Sequence, residues 1–310
     1  MRSLIRLIAA GMFACSAFPV SAGSVAYGEA FDTLYRIDLD TRTASTIGGA
    51  GTLSGQTIGN ISGLTVTADG TLYAVAGGFK VLLRVDPVVG LGAVVGSLGL
   101  SGQGSGQFDA LDLGMTSDCD GNFWLVSGVL RQLWKVDPAT GATTLVGATG
   151  HAISGVVARN GVLYGSGSRD DHGFYRIDET SGSATLIGSF GPGASSLLNS
   201  VSMSFEAEGV LGAVLNYVPP TTGTEVPDWS DLAKVDPATG KVTVVGPITG
   251  PDLLKQSGMK GFVITPAQCV AGALPATPAP IGSPWALGML GVLLAAAGLR
   301  RSRRAVADHH

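Results

Sequence analysis

The chain has 310 residues, of which 14% are charged and 47 are glycine, and its formal net charge is −4. This length fits two average domains or one large barrel or propeller. A composition that is 45% hydrophobic excludes a disordered chain, and the slight negative charge provides no basic surface for nucleic acid. The apolar residues do not form several runs of about 20, which excludes a membrane protein with many spans.

The first 22 residues have the composition of a secretory signal peptide. Arg2 and Arg6 give the positive start, an apolar stretch follows, and Val20-Ser21-Ala22 places small residues before the cleavage point. The sequence therefore predicts that signal peptidase removes residues 1–22 and that the exported chain begins at Gly23. Retention as an anchor helix is the alternative, which the short apolar core disfavours.

One short phrase, of the form Leu34-Tyr35-Arg36-Ile37-Asp38, recurs five times along the chain. Successive copies are 48, 51, 41 and 58 residues apart, counted between Asp38, Asp86, Asp137, Asp178 and Asp236. Periods of this length are typical of the blades of β-propellers. Turn residues such as Asp137-Pro138-Ala139-Thr140-Gly141 follow the phrase, so we interpret these aspartates as turn-forming residues rather than as metal ligands.

Each repeat contains four predicted strands. The phrase and its turn account for two of them, and an apolar strand, a tight turn and another strand account for the rest. The chain starts with strands that lack an inner partner and ends with an inner strand at 260–265 that lacks a blade. We therefore predict an all-β, five-bladed β-propeller of four-stranded blades over residues 23–266, closed by N- and C-terminal strands that share one blade. A six-bladed ring with a degenerate blade in residues 216–230 is the alternative.

The repeat unit resembles the YVTN and quinoprotein-like group of secreted propellers, whose units have the form LYxIDPxTGxxTxIG. The resemblance covers about residues 24–266 and implies the propeller fold. Because many functions share this fold, the resemblance alone implies no particular activity.

Two cysteines remain after removal of the signal peptide, Cys119 and Cys269. An even number of cysteines in an exported chain favours a disulfide. Cys119 follows a predicted inner strand and Cys269 follows the closing inner strand, so both leave the ring on the same face. The sequence therefore predicts a Cys119–Cys269 disulfide that fixes the closing strand.

The loops before the inner strands form one face of the predicted ring, here called the mouth face, and loops carry function more often than scaffold strands. Its candidate ligand-binding residues are Asn60, Asp109, Asp112, His151, Asp170, Asp171, His172, Asn199, Lys260 and Trp229. Arg131 is predicted to lie in an outer loop of the same face. The sequence has no catalytic-triad signature, phosphate loop or CxxC motif, so no catalytic residue is assigned. We expect no cofactor, with Ca²⁺ on the carboxylates and amides of this face as the alternative.

A linker over residues 267–280 leads to an uncharged stretch over 281–299 and to a basic tail over 300–310. The uncharged stretch is long enough to span a membrane as a helix, and the arginines after it favour a cytoplasmic tail. This layout resembles the PEP-CTERM and IPTL-CTERM sorting signals of Gram-negative bacteria, on Pro280, Ser283, Trp285, Arg300, Arg301, Arg303 and Arg304. The resemblance implies transient anchoring in the inner membrane and then processing by an exosortase-like enzyme. A plain tail anchor is the alternative.

These features predict an exported propeller of the cell surface or extracellular matrix that acts as a binding or structural module. Its expected partner is a polysaccharide or another surface protein. The alternative function is that of a hydrolase or lyase with a cation bound at the mouth of the channel. Without the two terminal segments, the body has 13 basic and 22 acidic residues and a net charge of −9.

Overall fold

The structure is a computed structural model that describes residues 25–100, 111–168, 171–193, 198–206, 208–217, 230–251 and 258–267. The strands of these residues are, in chain order, β1 (Val25–Ala30), β2 (Thr33–Asp38), β3 (Thr43–Gly49), β4 (Thr52–Leu53), β5 (Gln56–Thr57), β6 (Ile61–Val66), β7 (Leu72–Ala76), β8 (Val81–Val85), β9 (Gly92–Ser97), β10 (Leu113–Ser117), β11 (Phe123–Ser127), β12 (Gln132–Val136), β13 (Thr143–Ala148), β14 (Ile153–Arg159), β15 (Val162–Gly167), β16 (Gly173–Ile177), β17 (Ala184–Ser189), β18 (Leu198–Phe205), β19 (Leu211–Tyr217), β20 (Ser230–Val235), β21 (Val242–Pro247) and β22 (Gly261–Thr265). A short 3-10 turn lies at Gly191–Gly193. Among the described residues, no helix has the length and apolar character needed to cross a membrane.

The strands form five antiparallel four-stranded sheets, which are the blades of a β-propeller. From the inner to the outer strand, blade 1 is β22-β1-β2-β3, blade 2 is β6–β9, blade 3 is β10–β13, blade 4 is β14–β17 and blade 5 is β18–β21. The short hairpin β4–β5 lies in the connection between blades 1 and 2. The inner strands contact one another in a closed circle, β6 to β10, β14, β18, β22 and back to β6.

The N- and C-terminal strands close the ring inside blade 1. β1 pairs with β22 from Val25 opposite Thr265 to Glu29 opposite Gly261. The predicted five-bladed propeller with one shared blade is confirmed. The six-bladed alternative is wrong, because β19 and β20 pair directly within blade 5, with Asn216 opposite Ser230.

The core consists of one apolar cluster at each of the five interfaces between neighbouring blades. Between blades 3 and 4, for example, Trp124 and Leu133 pack with Ile153 and Tyr175. Each blade is therefore covered on both faces, and most residues of its inner and middle strands are buried. Burial on both faces holds the blades rigidly against one another, so loops from adjacent blades keep a fixed separation.

Glycines let the inner strands approach each other closely around the axis. A Cβ atom on Gly114 would overlap the carbonyl of Ser154, and one on Gly155 would overlap the carbonyl of Val201. Only glycine fits where backbone packs directly against backbone. These positions explain part of the high glycine content of the chain.

The turn aspartates accept hydrogen bonds from the amides of their own turns. Asp86 Oδ1 accepts from Val88 N at 2.7 Å, and Asp178 Oδ1 accepts from Ser181 N at 2.8 Å. Hydrogen bonds from Thr180 and Ser181 hold the pKa of Asp178 well below its usual range. The predicted turn-forming role of these residues is confirmed.

Several predicted features lie outside the described residues and stay predictions. They are the signal peptide over 1–22, the linker beyond residue 267, the sorting helix over 281–299 and the tail over 300–310. Cys119 lies in the turn between β10 and β11. Because Cys269 also lies outside the described part of the chain, its pairing with Cys119 stays a prediction.

Candidate functional site

Two residues predicted as ligands set the starts of inner strands. Asn60 and Asp112 directly precede β6 and β10 in left-handed backbone conformations, with φ of 55° and 52°. Their carbonyls accept hydrogen bonds from Gly77 N at 3.0 Å and Gly128 N at 3.1 Å. Asn and Asp are the non-glycine residues that tolerate this conformation best. The backbone conformation alone therefore explains why these residue types occur here, whether or not their side chains bind a ligand.

An ion pair bridges the mouth of the central channel. Lys260 Nζ lies 3.3 Å from Asp112 Oδ1, although β22 and β10 are separated in the ring by β6. The Lys260 side chain is thus neutralised by a carboxylate from across the channel. Since the Asp112 carboxylate already faces an ammonium group, it is a poor ligand for a cation.

The channel below this ion pair is nearly filled by side chains. It contains two cavities of about 10 and 30 Å³, which hold a water molecule or two at most. Met115, Met203 and Phe262 line both cavities. The cavity of about 10 Å³ is also lined by Ser62 Oγ and Ser154 Oγ, which lack a hydrogen-bond partner. An ordered water would supply one. The channel itself is therefore too small for an organic ligand.

A larger cavity of about 610 Å³ opens on the mouth face between blades 3 and 4, and we call it the mouth pocket. It is lined by Arg131, Gly150, His151, Ala152, Ser168, Asp171, His172, Gly173, Tyr175, Leu186 and Ser189. Its volume is that of an ordinary small-molecule site. The structure thus brings together three of the predicted residues, His151, Asp171 and His172.

Three loops supply the polar groups of the mouth pocket. Arg131 lies in the β11–β12 turn in a left-handed conformation with φ of 53°, and its carbonyl accepts from Thr149 N at 2.8 Å. His151 lies in the connection before β14, where its carbonyl accepts from Thr149 Oγ1 at 2.7 Å. His172 directly precedes β16, and its carbonyl accepts from Phe190 N at 3.0 Å. The backbone of each loop is thereby tied to the rigid blades.

Asp171 organises the pocket through three hydrogen bonds. Its Oδ2 lies 3.1 Å from His151 Nδ1, and its Oδ1 accepts from Tyr175 OH at 2.5 Å and from Gly173 N at 3.2 Å. The ring centroids of His151 and Tyr175 lie 4.4 Å apart, and the two ring planes are tilted by 37°. Burial, together with the hydrogen bond to Asp171, raises the pKa of Tyr175. The tyrosine therefore stays protonated and fixes the carboxylate that orients His151.

The other predicted residues that the structure describes do not line the mouth pocket. Asn60 and Asn199 line neither the channel cavities nor the mouth pocket. Asp109, Asp170 and Trp229 fall outside the described residues. Within the described ranges, no group of three or more His, Cys, Asp or Glu side chains is placed to hold a metal ion.

Tyr175 is the pocket residue whose role the sequence does not reveal. Its ring is buried in the apolar cluster between blades 3 and 4. Its hydroxyl nevertheless reaches Asp171, which lies four positions earlier in the loop before β16. Because Asp171 lies before β16 begins, the alternation of side chains along the strand does not predict this contact.

A second cavity, of about 720 Å³, lies between blades 1 and 2. Its carboxylates are already engaged, because Asp69 accepts from Thr67 and Thr71 and Asp86 accepts from the amides of its own turn. The mouth pocket is the better candidate, since its side chains come from loops of two blades and converge on one network.

Comparison with known proteins supports the fold. No protein-family model matches the chain, and the search of curated proteins gives no significant match. Among solved structures, a chain from the crystal structure of a nidogen/laminin complex aligns with a TM-score of 0.50 at 15% identity, over 80% of this chain and 100% of that one. At this identity the similarity shows the fold alone.

Two bacterial proteins of unknown function also align. The one from Bacteroides thetaiotaomicron VPI-5482 has a TM-score of 0.45 at 15% identity, over 61% of this chain and 53% of that one. The one from Bacteroides caccae has a TM-score of 0.44 at 11% identity, over 78% of this chain and 99% of that one.

Proposed function

We propose that the protein is an exported binding module that recognises a component of the cell surface or extracellular matrix through its mouth face. The mouth pocket carries this proposal. Loops from two rigid blades hold a preorganised polar network beside an open cavity of ligand size. Preorganisation lowers the entropic cost of binding, which suits a scaffold of this kind to recognition. The similar fold of a chain from a nidogen/laminin complex agrees with a binding role.

The route to the surface rests on the sequence. Signal peptidase would release the chain at Gly23, and the apolar stretch over 281–299 with its arginines would hold the body transiently at the inner membrane. An exosortase-like enzyme would then transfer the body to the surface or matrix. The acidic body, with a net charge of −9, is suited to remain soluble and dispersed once released.

Binding of the purified protein to extracellular material from Gram-negative cells tests this function. We expect saturable binding in biolayer interferometry that His151→Ala and Asp171→Asn weaken at least tenfold. The matched control is Glu208→Ala, which replaces an exposed residue in the β18–β19 turn, on the face opposite the mouth face. We expect it to leave binding unchanged. Absence of binding, or an equal loss in all three variants, contradicts the proposal. Pretreating the material with protease or with periodate shows whether the bound component is protein or polysaccharide.

A hydrolytic role is the second candidate, and one observation favours it. The Asp171 carboxylate contacts His151 Nδ1, which leaves Nε2 as the available base of a carboxylate–imidazole pair. A cation at the channel mouth is less favoured, because Lys260 already neutralises Asp112. In the binding assay, loss of the signal on EDTA treatment together with turnover of the material identifies the metal-dependent alternative.

A further inference from the structure

Among the described residues that line the mouth pocket, unpaired hydrogen-bond donors outnumber unpaired acceptors. Both carboxylate oxygens of Asp171 are engaged, one by Tyr175 and Gly173 and the other by His151. The hydroxyl of Ser168 donates to Ala152 O at 3.1 Å. Among the described side chains, Nε2 of His151 remains as an acceptor for an incoming ligand, so free acceptors are few.

The available donors belong to Arg131, and the His172 ring has one unpaired nitrogen. The exposed Arg131 guanidinium carries five N–H groups and makes no ion pair or hydrogen bond within the described part of the chain. His172 Nε2 is buried without a hydrogen-bond partner. An unpaired buried polar nitrogen is unfavourable, so rotation of the ring toward a ligand acceptor would relieve it. A surplus of donors, one of them permanently cationic, selects a ligand that carries acceptors and negative charge.

An apolar wall lies beside these donors. The His151 ring packs against the Tyr175 ring, and the Leu186 side chain is 58% exposed in the same pocket. Sugar rings present C–H faces that pack on surfaces of this kind, while their substituents take hydrogen bonds at the edge. A carboxylate on such a ring would meet the planar fork of Arg131 in a bidentate pair.

We propose that the mouth pocket binds an acidic saccharide, with the carboxylate of a uronic acid held by Arg131 and His172 and the sugar ring packed on His151 and Leu186. The inference rests on the proposed binding function and names its ligand class. The body charge of −9 repels a long polyanion. At physiological ionic strength that repulsion is screened beyond about 8 Å, so the groups inside the pocket decide the binding of a short oligomer.

The test is calorimetric titration of the full-length protein with trigalacturonate and with galactotriose, which has the same rings without carboxylates. We expect trigalacturonate to bind at least tenfold more tightly. Arg131→Gln removes at least tenfold of this affinity, and His172→Gln weakens binding to a smaller extent. Arg84→Gln is the matched control, because it removes the same charge from an exposed arginine at the cavity between blades 1 and 2. Thermal unfolding of each variant verifies that it is folded.

Three results overturn the inference. They are equal affinity for the charged and neutral trisaccharides, equal losses for Arg131→Gln and Arg84→Gln, and no binding of trigalacturonate. If extracellular material still binds in the last case, the ligand class is wrong and the binding function stands. If binding of that material is destroyed by protease and not by periodate, the partner is a protein. If neither probe binds, both proposals fail.

Discussion

Glu29 is a carboxylic acid with no exposed surface and no hydrogen-bond partner for either oxygen. It lies in β1 where the N-terminal strand meets β22, and Gly261 packs close to both its Cβ and that of Leu64. Burial, with a smaller contribution from the charge of Asp32, raises the pKa of Glu29 from 4.5 to about 8. At neutral pH the side chain is therefore mostly protonated, because its ionised form would be an unpaired buried charge.

Replacing Glu29 by Gln should make the fold less sensitive to alkali. The pKa is raised on folding, so the stability linked to the proton is fully present below about pH 4.5 and is lost as pH rises through about 8. Relative to Glu29→Gln, the wild-type free energy of unfolding should fall by up to about 1.4 kcal/mol per pH unit across this window. Urea denaturation at pH 5 and pH 8 measures the difference. The exposed Glu208→Gln is the control, and a parallel pH response of wild type and Glu29→Gln contradicts the prediction.

The sequence predicts single residues well where their role is local. Asp86 and Asp178 bind amides two or three residues away, so the Pro, Thr and Gly residues of the turn are enough to assign them. Glu29 and Tyr175 acquire their properties from strands far along the chain or from burial. Neither effect has a local sequence pattern, because the neighbour that buries Glu29 lies more than 200 residues away.

The outer strand of every blade contains a β-bulge followed by a glycine. The register of pairing shifts at the same place in all five blades, next to Gly48, Gly96, Gly147, Gly188 and Gly246. At the first four of these glycines, a Cβ atom would overlap a carbonyl oxygen of the next blade, in the turn that leads into its outer strand. Gly246 instead faces Arg42 of blade 1. These contacts form an outer circle that ties each blade to its neighbour, in addition to the circle of inner strands.

Gly48→Ala should disrupt one contact of this outer circle. The added methyl group would overlap the carbonyl of Val89 in blade 2, and overpacking against backbone costs about 1–3 kcal/mol. Gly49→Ala is a control one residue away, because its nearest atom is Asp32 O at 3.7 Å. That change should alter the free energy of unfolding by less than about 0.5 kcal/mol. Chemical denaturation measures the free energy of unfolding of both variants. Similar values would contradict the prediction, because they would show that the backbone moves to accommodate the methyl group.

At the level of elements, the repeat predicts the number of strands and their order. A turn and an alternation of apolar residues recur at every copy, so blades can be counted from the sequence. The repeat includes the Ile-Gly and Val-Gly pairs of the outer strands. The turns that these glycines contact, however, lie in the next blade. Which turn meets which glycine depends on the angle between blades, and that angle follows from the packed clusters rather than from any single segment.

For the whole molecule, ring closure gives the mouth face its fixed geometry. Lys260 in front of β22 reaches Asp112 of blade 3, so the closing strand contributes directly to the mouth. The sequence predicts which loops share this face, because every loop before an inner strand must lie on it. It does not predict that His151 and Asp171 meet in the mouth pocket while neither Asn60 nor Asn199 lines it, since that depends on the distance of each side chain from the axis.

The predicted Cys119–Cys269 disulfide would secure this closure. The closing strand β22 buries Phe262 and Ile264, and Cys269 follows four residues after its last residue, Thr265. A bond to Cys119 would link this strand to blade 3 and restrict the unfolded chain, with a stabilisation of about 2–4 kcal/mol. We therefore expect Cys119→Ser to lower the free energy of unfolding by this amount. Mass spectrometry of non-reduced peptides from the exported protein should give one cross-linked Cys119–Cys269 peptide and an N-terminus at Gly23, whereas alkylated cysteines at both positions would refute the bond.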